Sequence, residues 1–163
     1  MIYVDDSGWG SLLGGVMIGV YDSDTKKFYS RLIPIRYFQS SLFKSGKYRN
    51  VAAKLFMGMW NQCGDTEKFI ICRGTVLDFI YNMLAENYGN RKVQRLEIDD
   101  PLQTLLELSF AKSLKRYGVP QKSSGAHCLS FDDQLKWIRE DPKRVKYVKT
   151  GWNSWKNKYS VSK

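Results

Sequence analysis

Histidine is almost absent from this sequence, cysteine is scarce, and apolar runs are short. The one histidine, His127, excludes a histidine-rich metal site and leaves any Ser-His-Asp triad dependent on a single residue with no visible orienting partner. The three cysteines, Cys63, Cys72 and Cys128, are too few and too scattered for a disulfide scaffold or a four-thiolate zinc site, so reduced thiols are expected. Leu12 to Tyr21, the longest apolar run, falls well short of the roughly 20 residues of a membrane-spanning helix. Asp5 and Asp6 stand where a secretory signal would carry positive charge, so the expectation is a cytoplasmic protein with no membrane contact. P-loop, HExxH and CxxC patterns are lacking. Gly8, Gly10, Gly14 and Gly15 do not form a dinucleotide loop, because residues 16–21 read as a strand where that fingerprint must open a helix.

What is present is one domain's worth of chain with a strong positive bias. Of 163 residues, 43% are hydrophobic, and five Trp, ten Tyr and eight Phe can fill one substantial core. The formal charge is +10, which favours a polyanionic partner, DNA or RNA before others. Acids are missing between Asp24 and Asp65, where eight bases occur, Lys44, Lys47 and Arg49 among them. They are missing again from Pro142 onward, where Lys143, Arg144, Lys146, Lys149 and Lys156 interleave with Trp152 and Trp155. Cations beside stacking rings suit a phosphate backbone and its bases, so these ten residues are the candidate nucleic-acid contacts. The alternative is that Trp152, Trp155 and Tyr159, spaced i, i+3, i+7, form a helical face that packs back on the core. Residues 65 to 107 reverse the sign, with eight acids against five bases.

Strands are expected over Met1–Val4, Gly14–Tyr21 and Lys27–Ile35, joined by Gly-containing and Asp22-Ser23-Asp24 turns into an antiparallel meander. A loop over 36–47 follows. A helix over 48–62 places Ala52, Leu55, Phe56 and Met59 on one face. Phe69–Cys72 is a fourth strand, a helix runs from Gly74-Thr75 to Tyr88-Gly89, and Val93–Ile98 is a fifth strand. Asp100 then caps a third helix ending near Tyr117, with Pro101 in its first turn. A short helix begins at Ser130 and stops at Pro142. The fold class is therefore α/β: a mixed five-stranded sheet with helices packed on it. Residues 1–120 form the core, and 121–163 are a C-terminal extension with a short helix and a basic aromatic tail.

The opening Ile2-Tyr3-Val4-Asp5-Asp6-Ser7-Gly8, followed by Gly14-Gly15 and a second strand, resembles the start of the ribonuclease H-like superfamily, which includes RNase H, RuvC-type resolvases and retroviral-type integrases. The likeness covers residues 1 to 117 and includes an acidic pair, Asp99-Asp100, heading the third helix. It implies a nuclease or resolvase-like phosphodiester hydrolase in which Asp5, Asp99 and Asp100 hold Mg²⁺ or Mn²⁺, one ion activating water and one stabilising the leaving oxygen.

The sequence departs from that family in two places: the first helix carries no acid, and the fourth strand ends in Cys72-Arg73 where the family has an aspartate. Asp6, Asp78, Glu97 and Glu107 are candidate substitutes. Arg73 could instead neutralise Asp5 or pair with Asp78. Asp5 and Asp6 could also simply begin a turn with Ser7 and Gly8, and Asp100 could act only as a cap. The alternative function is a non-catalytic nucleic-acid-binding module, or an assembly subunit whose exposed rings dock on a partner or a second copy.

Overall fold

The computed structural model describes residues 1–64, 68–121, 129–153 and 155. Strands β1 (Ile2–Ser7), β2 (Val16–Asp22) and β3 (Lys27–Ile33) form the antiparallel meander. A 3₁₀ turn (Ile35–Phe38), α1 (Ser40–Lys44) and α2 (Lys47–Trp60) follow, then β4 (Phe69–Ile71), α3 (Asp78–Tyr88), β5 (Val93–Arg95), α4 (Leu102–Lys115) and α5 (Phe131–Glu140). The sheet order is β3-β2-β1-β4-β5, with β4 and β5 parallel to β1.

Alternation along the strands sends side chains to two separate cores. Ile2 and Val4 of β1, with Val16, Ile18 and Val20 of β2, meet Ala52, Phe56 and Met59 of α2 and Ile80 and Leu84 of α3. On the other face Met17 meets Leu102, Leu106, Phe110 and Leu114 of α4, with Tyr3 and Tyr21 packed beside them. Strand β2 is thus buried on both faces, which is why it reads as a continuous apolar run rather than an alternating one. Gly8, at φ +92°, lies against the Phe110 ring with no room for a Cβ. Phe110→Ala would cost about 3–5 kcal/mol through reduced burial and the cavity left behind.

Several boundaries differ from expectation for identifiable reasons. β1 runs three residues further than its apolar stretch, because Asp5, Asp6 and Ser7 pair with Gly19, Ile18 and Met17. The aspartates are therefore strand residues and do not begin the turn. β5 stops at Arg95, three residues early. The expected 36–47 loop contains the 3₁₀ turn and α1, held by local bonds that propensity does not reveal.

Helix α5 and the segment after it pack into the second core. Leu135, Trp137, Ile138, Val148 and Trp155 are all buried in it. Backbone bonds from Gly14 N to Tyr147 O, Lys149 N to Leu12 O and Gly151 N to Phe38 O stitch that segment to the loop after β1 and to the 3₁₀ turn. Among the described residues, no helix is long and apolar enough to cross a membrane.

Candidate functional site at the carboxyl end of the first strand

Asp5 is 8% exposed, and its carboxylate accepts the Asp6 N–H at 2.7 Å and a hydrogen bond from the Cys72 thiol. Burial raises its pKa, while the bonds from Cys72 and Asp6 pull it back. The Cys72 thiol is pushed up to about 11, first by burial and then by its bond to Asp5 and the charge there. It is a neutral hydrogen-bond donor, not a nucleophile. It also bonds to the Ile98 and Arg73 backbone, so the thiol links Asp5 to the residue preceding Asp99. Cys72 sits where the resemblance would put an acid, and the donor set there is one carboxylate and one thiol.

Asp6 points to the other face of β1, against Gly74, whose hydrogen leaves room that a Cβ 2.9 Å from the carboxylate would take. Its pKa is raised to about 7 by burial and by the Asp5 charge, with Lys149 opposing. Arg95 buttresses the neighbouring strand ends, donating to Asp78 at 2.6 Å and to the carbonyls of Cys72 and Gly74 at 3.2 and 3.0 Å. Asp78 is thus paired with Arg95, and the Arg73 side chain is exposed.

Asp99 and Asp100 lie elsewhere. With Glu97 they line a cavity of about 340 Å³ toward the amino end of β1, alongside Tyr3, Tyr21, Ser23 and Lys26; Asp5 is not among its lining residues. The Asp100 carboxylate accepts the backbone N–H of Thr104 and the Thr104 hydroxyl, so it does cap α4, from one residue further out than expected. Among the described residues, no group of three or more His, Cys, Asp or Glu side chains is placed to hold a metal ion. No protein-family model matches the chain, and no curated protein matches it.

The second feature at this end of β1 is a cleft of about 690 Å³ lined by Trp9, Phe43, Lys44, Gly46, Tyr48, Arg49, Gly151, Trp152 and Asn153. It unites Lys44 and Arg49 with Trp152, which are about a hundred residues apart in sequence. Lys47, in the first turn of α2, is exposed beside them. The C-terminal wall is fixed by Lys149, which is 0% exposed. Its ammonium donates to the carbonyls of Gly8, Ser11 and Leu13 at 2.8, 2.6 and 3.3 Å. Gln134 of α5 braces the same loop, accepting from Ser11 Oγ and Leu12 N.

Two of the expected surface contacts are therefore corrected. Lys149 is a buried clamp, because three carbonyls of a tight loop need a donor that water cannot supply there. Trp155, 7% exposed, is a core residue, in line with the packed-back alternative for the tail. Arg144 donates to the Trp137 carbonyl and Glu140, and stacks on the Trp137 ring. Lys143 and Lys146 are exposed away from the cleft lining. Lys156 and Tyr159, like His127 and Cys128, lie outside the described residues. Trp9 and Arg95 are not among the site residues expected from the sequence, which places Cys72 there only as the residue standing in for an acid. The signal for Trp9 was available, since a large ring between Gly8 and Gly10 has no strand or helix to bury it.

Proposed function

We propose that the chain is a nucleic-acid-binding protein on an RNase H-like fold, and that the cleft at the carboxyl end of β1 is its binding surface. The fold reading is supported by the order of elements, meander, helix, strand, helix, strand, helix, and by Asp5 in the opening strand. One observation carries the binding reading: Lys44 and Arg49 stand among Trp9, Phe43, Tyr48 and Trp152 in a cleft that, among the described residues, no acid lines. Cations hold phosphates while rings take bases. Fluorescence anisotropy with labelled oligonucleotides in a salt series tests it: log affinity should fall linearly with log salt, and Lys44→Ala with Arg49→Ala should flatten the slope. Absence of binding at about 50 mM salt would reject the reading.

The second reading is divalent-metal-dependent phosphodiester hydrolysis at Asp5. The observation favouring it is the buried Asp5 carboxyl, whose pKa burial raises, since a desolvated carboxylate is the kind of group a bound cation relieves. Asp5 would hold Mg²⁺ or Mn²⁺, which would supply Lewis-acid stabilisation of phosphate oxygens; Asp6, on the opposite face of β1, is not placed to share the ion. Asp99 and Asp100 line the separate cavity and do not join Asp5. Asp5→Asn should abolish metal-dependent cutting and leave binding in place. Persistent cutting by that variant would remove Asp5 from the chemistry. The binding reading is preferred because Cys72 supplies a thiol where a third carboxylate would be needed.

A further inference from the structure

We infer that the cleft takes an unpaired strand, stacking bases on Trp152 and Trp9 and holding their phosphates on Lys44 and Arg49. This rests on the nucleic-acid reading and adds the strand state to it. Trp9 and Trp152 have ring centroids 6.1 Å apart and are inclined at 51°, and both remain partly exposed at the cleft. Phe43 lies 6.4 Å from Trp9 and stacks on Tyr48 at 5.5 Å and 17°, so the floor beneath them is a continuous layer of rings. Arg49 sits 5.3 Å from the Tyr48 ring, which places its charge at the edge of that layer.

The rings are held before any ligand arrives. The Lys149 ammonium lies 5.5 Å from the Trp152 ring while bonded to the loop that carries Trp9, and Gly151 N donates to Phe38 O. Its Cα leaves no room for a Cβ against Phe43 and the Phe38 carbonyl, at 2.5 and 2.8 Å, so residue 151 brings the two walls together only as glycine. Prepositioned rings reduce the ordering cost of binding.

The shape selects the strand state. A duplex shows base edges in its grooves and is read by an element that protrudes into them. The cleft is concave and offers ring faces, which can meet only the faces of unstacked bases. Aromatic-lined clefts also take cationic ligands or proline-rich peptides. Lys44 and Arg49 in the lining, with Lys47 exposed nearby, disfavour the first and give the second no complementary charge.

The test compares a labelled single strand of about 12 nucleotides with a duplex of the same sequence, against the native protein and two variants. The native protein should bind the single strand at least tenfold more tightly than the duplex. Trp152→Ala should weaken single-strand binding about tenfold or more and leave the salt slope unchanged, whereas Trp152→Phe, which keeps a ring, should stay within about threefold. Equal or tighter binding of the duplex overturns the inference, and that measurement needs no variant. Equal weakening of both polymers by Trp152→Ala, matched by Trp152→Phe, also overturns it, as a structural rather than stacking effect. Binding of neither polymer rejects the nucleic-acid reading itself.

Discussion

Two cavities lie toward opposite ends of β1 and carry opposite chemistry. Toward the amino end, Glu97, Asp99 and Asp100 gather with Lys26 and two tyrosines. At the carboxyl end, Lys44 and Arg49 gather with four large rings and, among the described residues, no acid. Both are walled by distant parts of the chain, but the acids of the first come from the single stretch 97–100, whereas the cations and rings of the second come from three places: the loop after β1, the α1–α2 junction and the segment after α5. The difference teaches that a local acidic cluster can arise from one short stretch of sequence and serve a cap, whereas a mixed basic and aromatic surface assembled from distant segments requires the fold to bring it together.

The largest effect should come from removing what holds the second cavity. Lys149→Met keeps the buried stem but leaves the carbonyls of Gly8, Ser11 and Leu13 without their donor. Urea denaturation should show stability reduced by more than about 3 kcal/mol, and nucleic-acid binding should fall with it. Retained stability would mean that the loop does not depend on the clamp.

Asp6 comes next. Its folded-state pKa of about 7 lies above the ordinary 3.8, so the folded protein holds this proton more tightly than the unfolded chain does. Stability should therefore decline as pH rises from about 4 to 7 and level off above. Asp6→Asn should remove that decline and be the more stable form at pH 8, by about 2 kcal/mol once solvent screening is allowed for. Thermal unfolding of both proteins from pH 5 to pH 8 reads the sign directly; parallel profiles would refute it.

The paired substitution Lys44→Ala, Arg49→Ala should weaken single-strand binding about tenfold and reduce the salt slope by about 0.7 for each phosphate that is no longer neutralised. Asp99→Asn, in the other cavity, should leave that slope as it was. A slope that responds to Asp99 and not to Lys44 and Arg49 would reverse the comparison. Smallest of all, Asp100→Ala should cost about 1 kcal/mol by removing the cap on Thr104 N and leave affinity unchanged, as unfolding and anisotropy together would show.

Much of the architecture was legible in the sequence because period and capping are local. The meander, α2, α4 and α5 follow from apolar spacing and from turn and cap residues such as Ser130, whose hydroxyl accepts Asp133 N. The site was legible only in parts. Lys44, Arg49 and Trp152 could be named from charge runs and rings, but nothing local says that they share a cleft with Trp9. Lys149 read as one more cation in a basic tail, since burial of a lysine depends on which carbonyls the rest of the chain presents to it. Asp5 was visible, but its thiol partner follows a parallel strand far along the chain.

The sequence alone determined an α/β chain with a basic surface and an aspartate in its first strand, because charge content and hydrophobic period are properties of neighbouring residues. The tertiary structure decided which cations face outward, which one is buried as a clamp, and which carboxylates share a cavity, because each depends on segments that meet only when the chain is folded.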